Sequence, residues 1–289
     1  MPSIRQLNVY PIKSCAGISR DFVRLTPHGF EYDRNWMVID AHGRFVTQRT
    51  HARLALVTPS LDDETLTVRA QGMAELTLPV EAAALAGASV VAATVWRDTV
   101  PAFDAGDEAA RWFSDFLGAP VRLVRFAPGN ERTASAKWTG DAIAQVRFAD
   151  GFPLLVLSEA SLGDLNARLA GKGVAPIPMN RFRPNLVLGD VEAYEEDYTE
   201  TLRIEAASGE VQLRVVKPCT RCPIPTIDQA VGMPDPRWPN EPTDTMSLYR
   251  ADSRVDGAVS FGQNAIVVAG AGATLSLGQS VDAELRFDA

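Results

Sequence analysis

The sequence predicts a mainly β fold with a few helices, an α+β chain arranged as barrels or sandwiches. Three observations lead there. Short β-type runs fill the first hundred residues, with turn signals every 8–12 residues or so. Apolar residues fall at helical spacing in two places, 104–117 and 158–169. A length of 289 residues with 46% hydrophobic content supports a large core, as one big domain or two closely joined ones.

In chain order, residues 4–10, 22–25, 36–39 and 44–47 read as strands, and Asp40-Ala41-His42-Gly43 is a hairpin turn between the last two. Residues 65–70, 75–79 and 90–96 continue the pattern. A helix follows at 104–117. Asp104 can cap it, Ala109, Trp112, Phe113, Phe116 and Leu117 share one face, and Gly118 stops it. Residues 121–126 form a strand. The polar stretch 127–139, with Pro128, Gly129 and Asn130, marks a domain joint. The second half opens on an apolar strand, 152–157, leading into a helix at 158–169 with Ser158 and Ser161 as hydroxyl caps. Strands are expected at 185–188, 202–206, 211–216, 258–268 and 280–287. The Pro-rich segment 218–240 reads as a long functional or mobile loop.

Composition excludes several classes. A net charge of −8 argues against a surface devoted to nucleic acid. Three cysteines, Cys15, Cys219 and Cys222, make neither a disulfide framework nor a four-cysteine iron–sulfur site. The expected setting is a reducing cytoplasm, with any electrons supplied from outside the chain. The alternating start, Ile4 to Tyr10, is not a secretory signal, and no apolar run reaches the roughly 18 residues of a membrane span. No histidine follows His51, so a Ser-His-Asp hydrolase is disfavoured, and there is neither a dinucleotide fingerprint nor a P-loop.

Lys217-Pro218-Cys219-Thr220-Arg221-Cys222-Pro223 is the strongest local signal. Two thiols three apart follow a strand, flanked by cations that favour thiolate. A thiolate there is a nucleophile or a soft-metal ligand. Structural zinc, a thioredoxin-like pair and an inert loop remain open on the motif alone. Basic residues also gather at strand ends: Lys13 beside Ser14 in a turn, Arg34 after Asp33, and Arg181 with Arg183, directed to one side if Asn180–Asn185 is extended. In an acidic protein this combination suits an anionic ligand.

Seven segments carry a family resemblance in register: Tyr10-Pro11-Ile12-Lys13-Ser14-Cys15, Tyr32-Asp33-Arg34-Asn35-Trp36, Phe45-Val46-Thr47-Gln48-Arg49, Leu157-Ser158-Glu159-Ala160-Ser161-Leu162, Asn180-Arg181-Phe182-Arg183-Pro184-Asn185, Lys217-Pro218-Cys219-Thr220-Arg221-Cys222 and Phe261-Gly262-Gln263-Asn264. Together they resemble the MOSC family, in the group with an N-terminal MOSC β-barrel that includes amidoxime-reducing components and bacterial hydroxylaminopurine-detoxifying proteins. The resemblance implies a β-barrel-like MOSC N-terminal domain at 1–125 packed on a MOSC β-barrel domain at 126–289. It implies a molybdenum-molybdopterin cofactor with Cys222 as sulfur ligand and catalytic centre, and Cys219 as a neighbour. Lys13, Ser14, Arg34 and Arg183 would hold phosphate and pterin, Thr220 and Arg221 would approach from the cysteine loop, and Gly151 and Phe152 would line the group with backbone. Asn185 and Asn264 complete the implied binding set; Asn264 stands where relatives tend to carry an aromatic. Pyridoxal phosphate binding is a further description attached to the family. The implied reaction is reduction of N-hydroxylated small molecules by electrons from a separate ferredoxin or flavoprotein, with no nucleic-acid or membrane partner. A persulfide-bearing sulfur carrier, or a cofactor-binding or delivery protein, is the implied alternative.

Overall fold

The computed structural model describes residues 1–85 and 87–286. As expected, the chain is mainly β with a few helices. The largest sheet runs, neighbour by neighbour, through strands Ile18–Arg20, Ser3–Val9, Leu186–Gly189, Leu154–Ser158, Ala258–Ala269, Gly209–Thr220, Thr199–Ala206 and Asp282–Leu285, and Ala251–Asp252 adds to Ala258–Ala269. All pairings in it are antiparallel except Leu154–Ser158 with Leu186–Gly189. The sheet curls until Ser3 bridges Ser280, and Val281 N donates to Pro2 O at 2.9 Å. This nearly closes a barrel, which removes exposed strand edges. Inside lies an aliphatic core that includes Leu7, Leu154, Val156, Leu186, Leu213 and Ala265.

The division expected at 125/126 does not follow this sheet. Strand Ser3–Val9 is a stave of the barrel built by the second half, with Leu7 opposite Leu186. Phe22–Thr26 also pairs with the late strand Thr274–Ser276. The other N-terminal strands form a β-barrel-like unit. One sheet orders Trp36–Asp40, Val121–Phe126, Asp98–Asp104 and Val90–Val95; another orders Thr58–Leu61, Thr65–Arg69 and Leu76–Pro79. Helix Asp107–Leu117 lays Ala109, Trp112, Phe113 and Phe116 on their shared core, which also holds Cys15 and Trp36. Burial of such an aromatic face is the main reason a helix this short is stable here.

Several boundaries differ from expectation for local reasons. Asp104 does not cap the helix: it ends strand Asp98–Asp104, accepts Gly106 N at 2.9 Å and pairs with Arg122, and Gly106 is the N-cap. Gly118 does stop the helix, in left-handed conformation (φ 68°). Ser158 caps helix Glu159–Gly171, accepting from Ser161 N. Residues 44–47 make only isolated bridges, Ile39 to Phe45 and Arg44 to Thr94, because Thr47 turns the chain by accepting His51 N at 2.9 Å. The segment 218–240 is not one long loop. Its strand runs on to Thr220, and a short hairpin, Ile227–Asp228 with Met233–Pro234, follows. Of the last expected strand, Asp282–Leu285 is formed, and Phe287 lies outside the described residues. Strands Thr58–Leu61, Asp98–Asp104 and Thr274–Ser276 and helix Thr243–Ser247 had no expectation. No helix among the described residues is long and apolar enough to cross a membrane.

Candidate functional site

Where the barrel meets the N-terminal unit lies a cleft of about 410 Å³. Every residue singled out from the sequence lines it: Lys13, Ser14, Arg34, Gly151, Phe152, Arg183, Asn185, Thr220, Arg221, Cys222 and Asn264. Gly151 and Phe152 precede strand Leu154–Ser158, and Asn264 lies in strand Ala258–Ala269; the others come from four further segments. Strand Ser3–Val9 leads out of the barrel into the Tyr10–Ser14 turn. The Asp33–Arg34 turn precedes strand Trp36–Asp40. Phe182 to Asn185 follows a short 3-10 turn, Met179–Arg181, and the cysteines end strand Gly209–Thr220.

Three of these residues hold left-handed backbone although none is glycine: Ser14 (φ 68°), Arg34 (φ 49°) and Arg183 (φ 59°). Such strain costs on the order of 1–3 kcal/mol each and persists where surrounding contacts over-determine it. At Arg34 they do. Its N donates to Tyr10 O at 2.8 Å, and its O accepts Phe148 N at 3.1 Å. Arg34 and Arg183 also sit over the same Tyr10 ring, 4.3 and 4.4 Å from its centroid.

The cations differ in how far they are committed. Arg34 pairs with buried Asp33 and donates to Asn185 Oδ1 at 3.1 Å. Lys13, 6% exposed, donates to Phe148 O at 2.7 Å and to Asp150 Oδ1 at 2.5 Å, which leaves one of its three protons for a ligand. Burial lowers the Lys13 pKa, and Asp150 opposes that shift. Arg221 donates to Phe261 O and, at 3.2 Å, to Phe182 O, so it acts mainly as a strut between strand Ala258–Ala269 and the Phe182 turn. The Arg183 guanidinium makes no hydrogen bond or ion pair among the described residues, and burial lowers its pKa. The Lys217 ammonium likewise makes none among the described residues, lying 5.5 Å from the Trp138 ring and 5.9 Å from that of Phe152.

The segment is turned, not extended, so the condition for Arg181 and Arg183 to share a side does not hold. Both line the cleft, but Arg181 is committed, donating to Thr226 O and Asp228 at 2.9 Å. Asn185 is a connector. Its Oδ1 accepts Leu155 N at 3.2 Å and its Nδ2 donates to Asn8 O at 3.1 Å, tying three strands together behind the cleft. Asn264 Nδ2 donates to Lys217 O at 3.2 Å. Strand Gly209–Thr220 is irregular on both sides of this contact, between Val215 and Lys217 and between Pro218 and Thr220. Bulges of this kind re-aim a strand, and here they precede the two cysteines.

All three cysteines are free thiols. Cys15 is buried in the N-terminal core, and burial pushes its pKa up to about 12, so it stays a neutral packing residue. Cys219 is half-buried, packs against the apolar cluster around Phe182 and Phe261, and has a pKa raised by burial. Cys222 lines the cleft without belonging to that cluster.

The sequence reading missed part of the site. Asp150 stands between Lys13 and Arg49, 3.9 Å from the latter, and accepts Trp96 Nε1 at 3.2 Å. Trp96, half exposed and itself left-handed (φ 57°), packs under Arg49. Buried Arg132, in the expected domain joint, donates to the carbonyls of Arg147, Ala149 and Asp150 and so shapes the backbone leading to Gly151. Arg49 closes a motif already quoted and Asp150 adjoins Gly151, so both were within reach. Trp96 and Arg132 had no local signal.

This cleft lies between two regions of known type. Residues 1–120 match the MOSC N-terminal beta barrel domain and residues 144–282 the MOSC domain. The chain is 36% identical over 255 residues to "Mitochondrial amidoxime reducing component 2" of Bos taurus, which spans 86% of this chain and 72% of that one. It is 36% identical over 258 residues to "Mitochondrial amidoxime-reducing component 1" of Mus musculus, with coverage of 86% and 71%. The chain belongs to the MOSC family, among the proteins that join a MOSC N-terminal barrel to a MOSC domain. It is also 30% identical over 244 residues to "Molybdenum cofactor sulfurase" of Bos taurus, covering 79% of this chain and 27% of that protein.

Proposed function

We propose that the chain is a molybdenum-cofactor-dependent oxidoreductase that reduces N-hydroxylated compounds (amidoximes, hydroxylamines and N-hydroxylated bases). Electrons come from a separate ferredoxin or flavoprotein. The observation that carries this reading is that Cys222 opens into the same cleft as Arg183, a guanidinium without a hydrogen-bonded partner. The donor set fits the cofactor. Among the described residues no three His, Cys, Asp or Glu side chains group to hold a bare metal ion. One thiol beside several cations instead suits a metal that arrives with its own sulfur ligands and an anionic tail.

When bound, the cofactor would supply the two-electron redox chemistry. Cys222 would be the protein's thiolate ligand. Arg183, the Ser14 hydroxyl and the remaining proton of Lys13 would hold the phosphate. Arg34 lies over Tyr10 beside Arg183, where it would face the pterin. Thr220 and the Gly151–Phe152 backbone would close around the group. Asn185, Arg221 and Asn264 are positioning residues in this reading, since their polar atoms are committed to backbone and to neighbouring side chains. Each turnover takes two electrons and two protons and converts N–OH to N–H and water. A thiolate ligand needs a reducing compartment, and the cytoplasm is the one we infer.

The test is reduction of an aromatic amidoxime by the protein made in a molybdopterin-producing host, with a competent electron donor. Cys222→Ala should abolish turnover and Cys219→Ala should be milder; equal loss in both would favour a dithiol mechanism. The likeness to a named cofactor sulfurase favours a second reading, a persulfide carried on Cys222. Mass spectrometry finding that persulfide, in protein free of molybdenum, would establish the second reading in place of the first.

A further inference from the structure

Behind the cleft lies a second cavity, of about 340 Å³, that the proposed reaction does not use. Its walls alternate with those of the cleft. Arg34 faces the cleft while Asn35 lines the rear cavity. Arg147 lines the rear cavity while the next carbonyl, that of Phe148, takes the Lys13 proton in the front.

Two guanidiniums meet in the rear cavity with too few acceptors. Arg125 is 4% exposed; it donates to Val80 O at 2.7 Å and lies over the Trp36 ring, and its buried Nε has no partner. Among the described residues the Arg147 guanidinium makes one hydrogen bond, to Asn35 Oδ1 at 2.9 Å. Neither forms an ion pair among the described residues, although arginines elsewhere in the chain find carboxylates readily, as Arg122 and Arg250 do. The two acids that line the cavity are engaged with other groups: Glu31 with Arg24 at 3.4 Å, and Glu81 with the Tyr32 hydroxyl at 3.4 Å. Burial pushes the Arg125 pKa down to about 10, with repulsion from Arg147 adding to the fall and Glu81 and Tyr32 opposing it. His28, lowered by burial and by Arg147, adds a neutral imidazole. Buried cations need a counter-charge or several acceptors, and a tetrahedral oxyanion offers both to paired guanidinium forks.

We propose that this rear cavity is an oxyanion site, in which Arg125 and Arg147 bind a phosphate-class anion separate from the cofactor cleft. The site does not depend on the proposed reductase activity. The experiment is calorimetric titration of the full chain with inorganic phosphate, at ionic strength held constant with chloride. Wild-type protein and Arg183→Gln, which removes the unpaired guanidinium of the cleft, should both bind phosphate saturably. Adding Arg147→Gln should weaken that binding about tenfold or more, as expected for loss of a charged fork. If that variant does not fold, Arg147→Lys, which keeps the charge and loses the fork, must still weaken binding. Absence of saturable binding in the wild type, its loss on Arg183→Gln alone, or its persistence after the Arg147 substitutions would each overturn the proposal.

Discussion

At the scale of single residues, the cleft separates cations that can hold a ligand from cations that hold the protein. Among the described residues the Arg183 guanidinium lies over the Tyr10 ring without a hydrogen bond or ion pair, whereas Arg221 spans Phe261 O and Phe182 O. Arg183→Gln should therefore cut cofactor retention with little change in melting temperature. Arg221→Gln should destabilise by about 1–3 kcal/mol, because it leaves buried carbonyls without donors. Cofactor content and thermal unfolding of the two variants check this split. Titration offers a second residue-level prediction. Burial raises Cys15 from its ordinary value of 9.0, and Tyr10 from 10.0, to about 12 in each case. A group whose folded pKa is raised contributes stability that is full below the unfolded value and is lost as pH rises through the folded one. Stability should thus fall between about pH 9 and pH 12, and Cys15→Ala should flatten that fall by about 1.4 kcal/mol per pH unit. Denaturant unfolding across that range measures it, and an unchanged slope would count against a buried neutral thiol.

At the scale of elements, close backbone approach decides where strands can carry the site. Gly262 sits in strand Ala258–Ala269 with φ +76°, and an added Cβ would lie 2.7 Å from Leu157 Cγ and 2.8 Å from Val156 O. Gly262→Ala should cost on the order of 1–3 kcal/mol and disturb the register of Leu155 with Asn264. Urea unfolding and amide exchange in that strand pair test it. The elements also show what was legible beforehand. Amphipathic spacing located both long helices, and hydroxyl capping located Ser158, because these signals are local. The strands at 58–61, 98–104 and 274–276 were missed because their pairing partners, not their own residues, define them. Whether the Arg181–Arg183 segment is extended or turned was left open, because left-handed backbone at an arginine has no sequence mark. The motif residues themselves came together in one cleft, since charge and thiol at strand ends are visible without knowing the topology.

At the scale of the whole molecule, the first strand belongs to the barrel built by the second half, so the two halves share a sheet across the polar joint. Expressed alone, residues 126–289 lack the stave Ser3–Val9 and the bridge from Ser3 to Ser280. That fragment should not unfold cooperatively, and co-expression with the N-terminal part should restore a folded complex. Circular dichroism melts decide it, a sharp transition for the fragment alone being the contrary result. The same crossing places the Tyr10–Ser14 turn against the cysteine strand. Gln48 and Gln229 reinforce this junction with two reciprocal amide bonds of 3.0 Å. The central claim is that this junction brings a single protein sulfur to molybdenum. The most direct measurement is molybdenum X-ray absorption of the wild type, Cys219→Ala and Cys222→Ala, each made in a host that supplies the cofactor. The account predicts one sulfur fewer around the metal in Cys222→Ala and an unchanged shell in Cys219→Ala; an identical sulfur shell in Cys222→Ala and the wild type would contradict it.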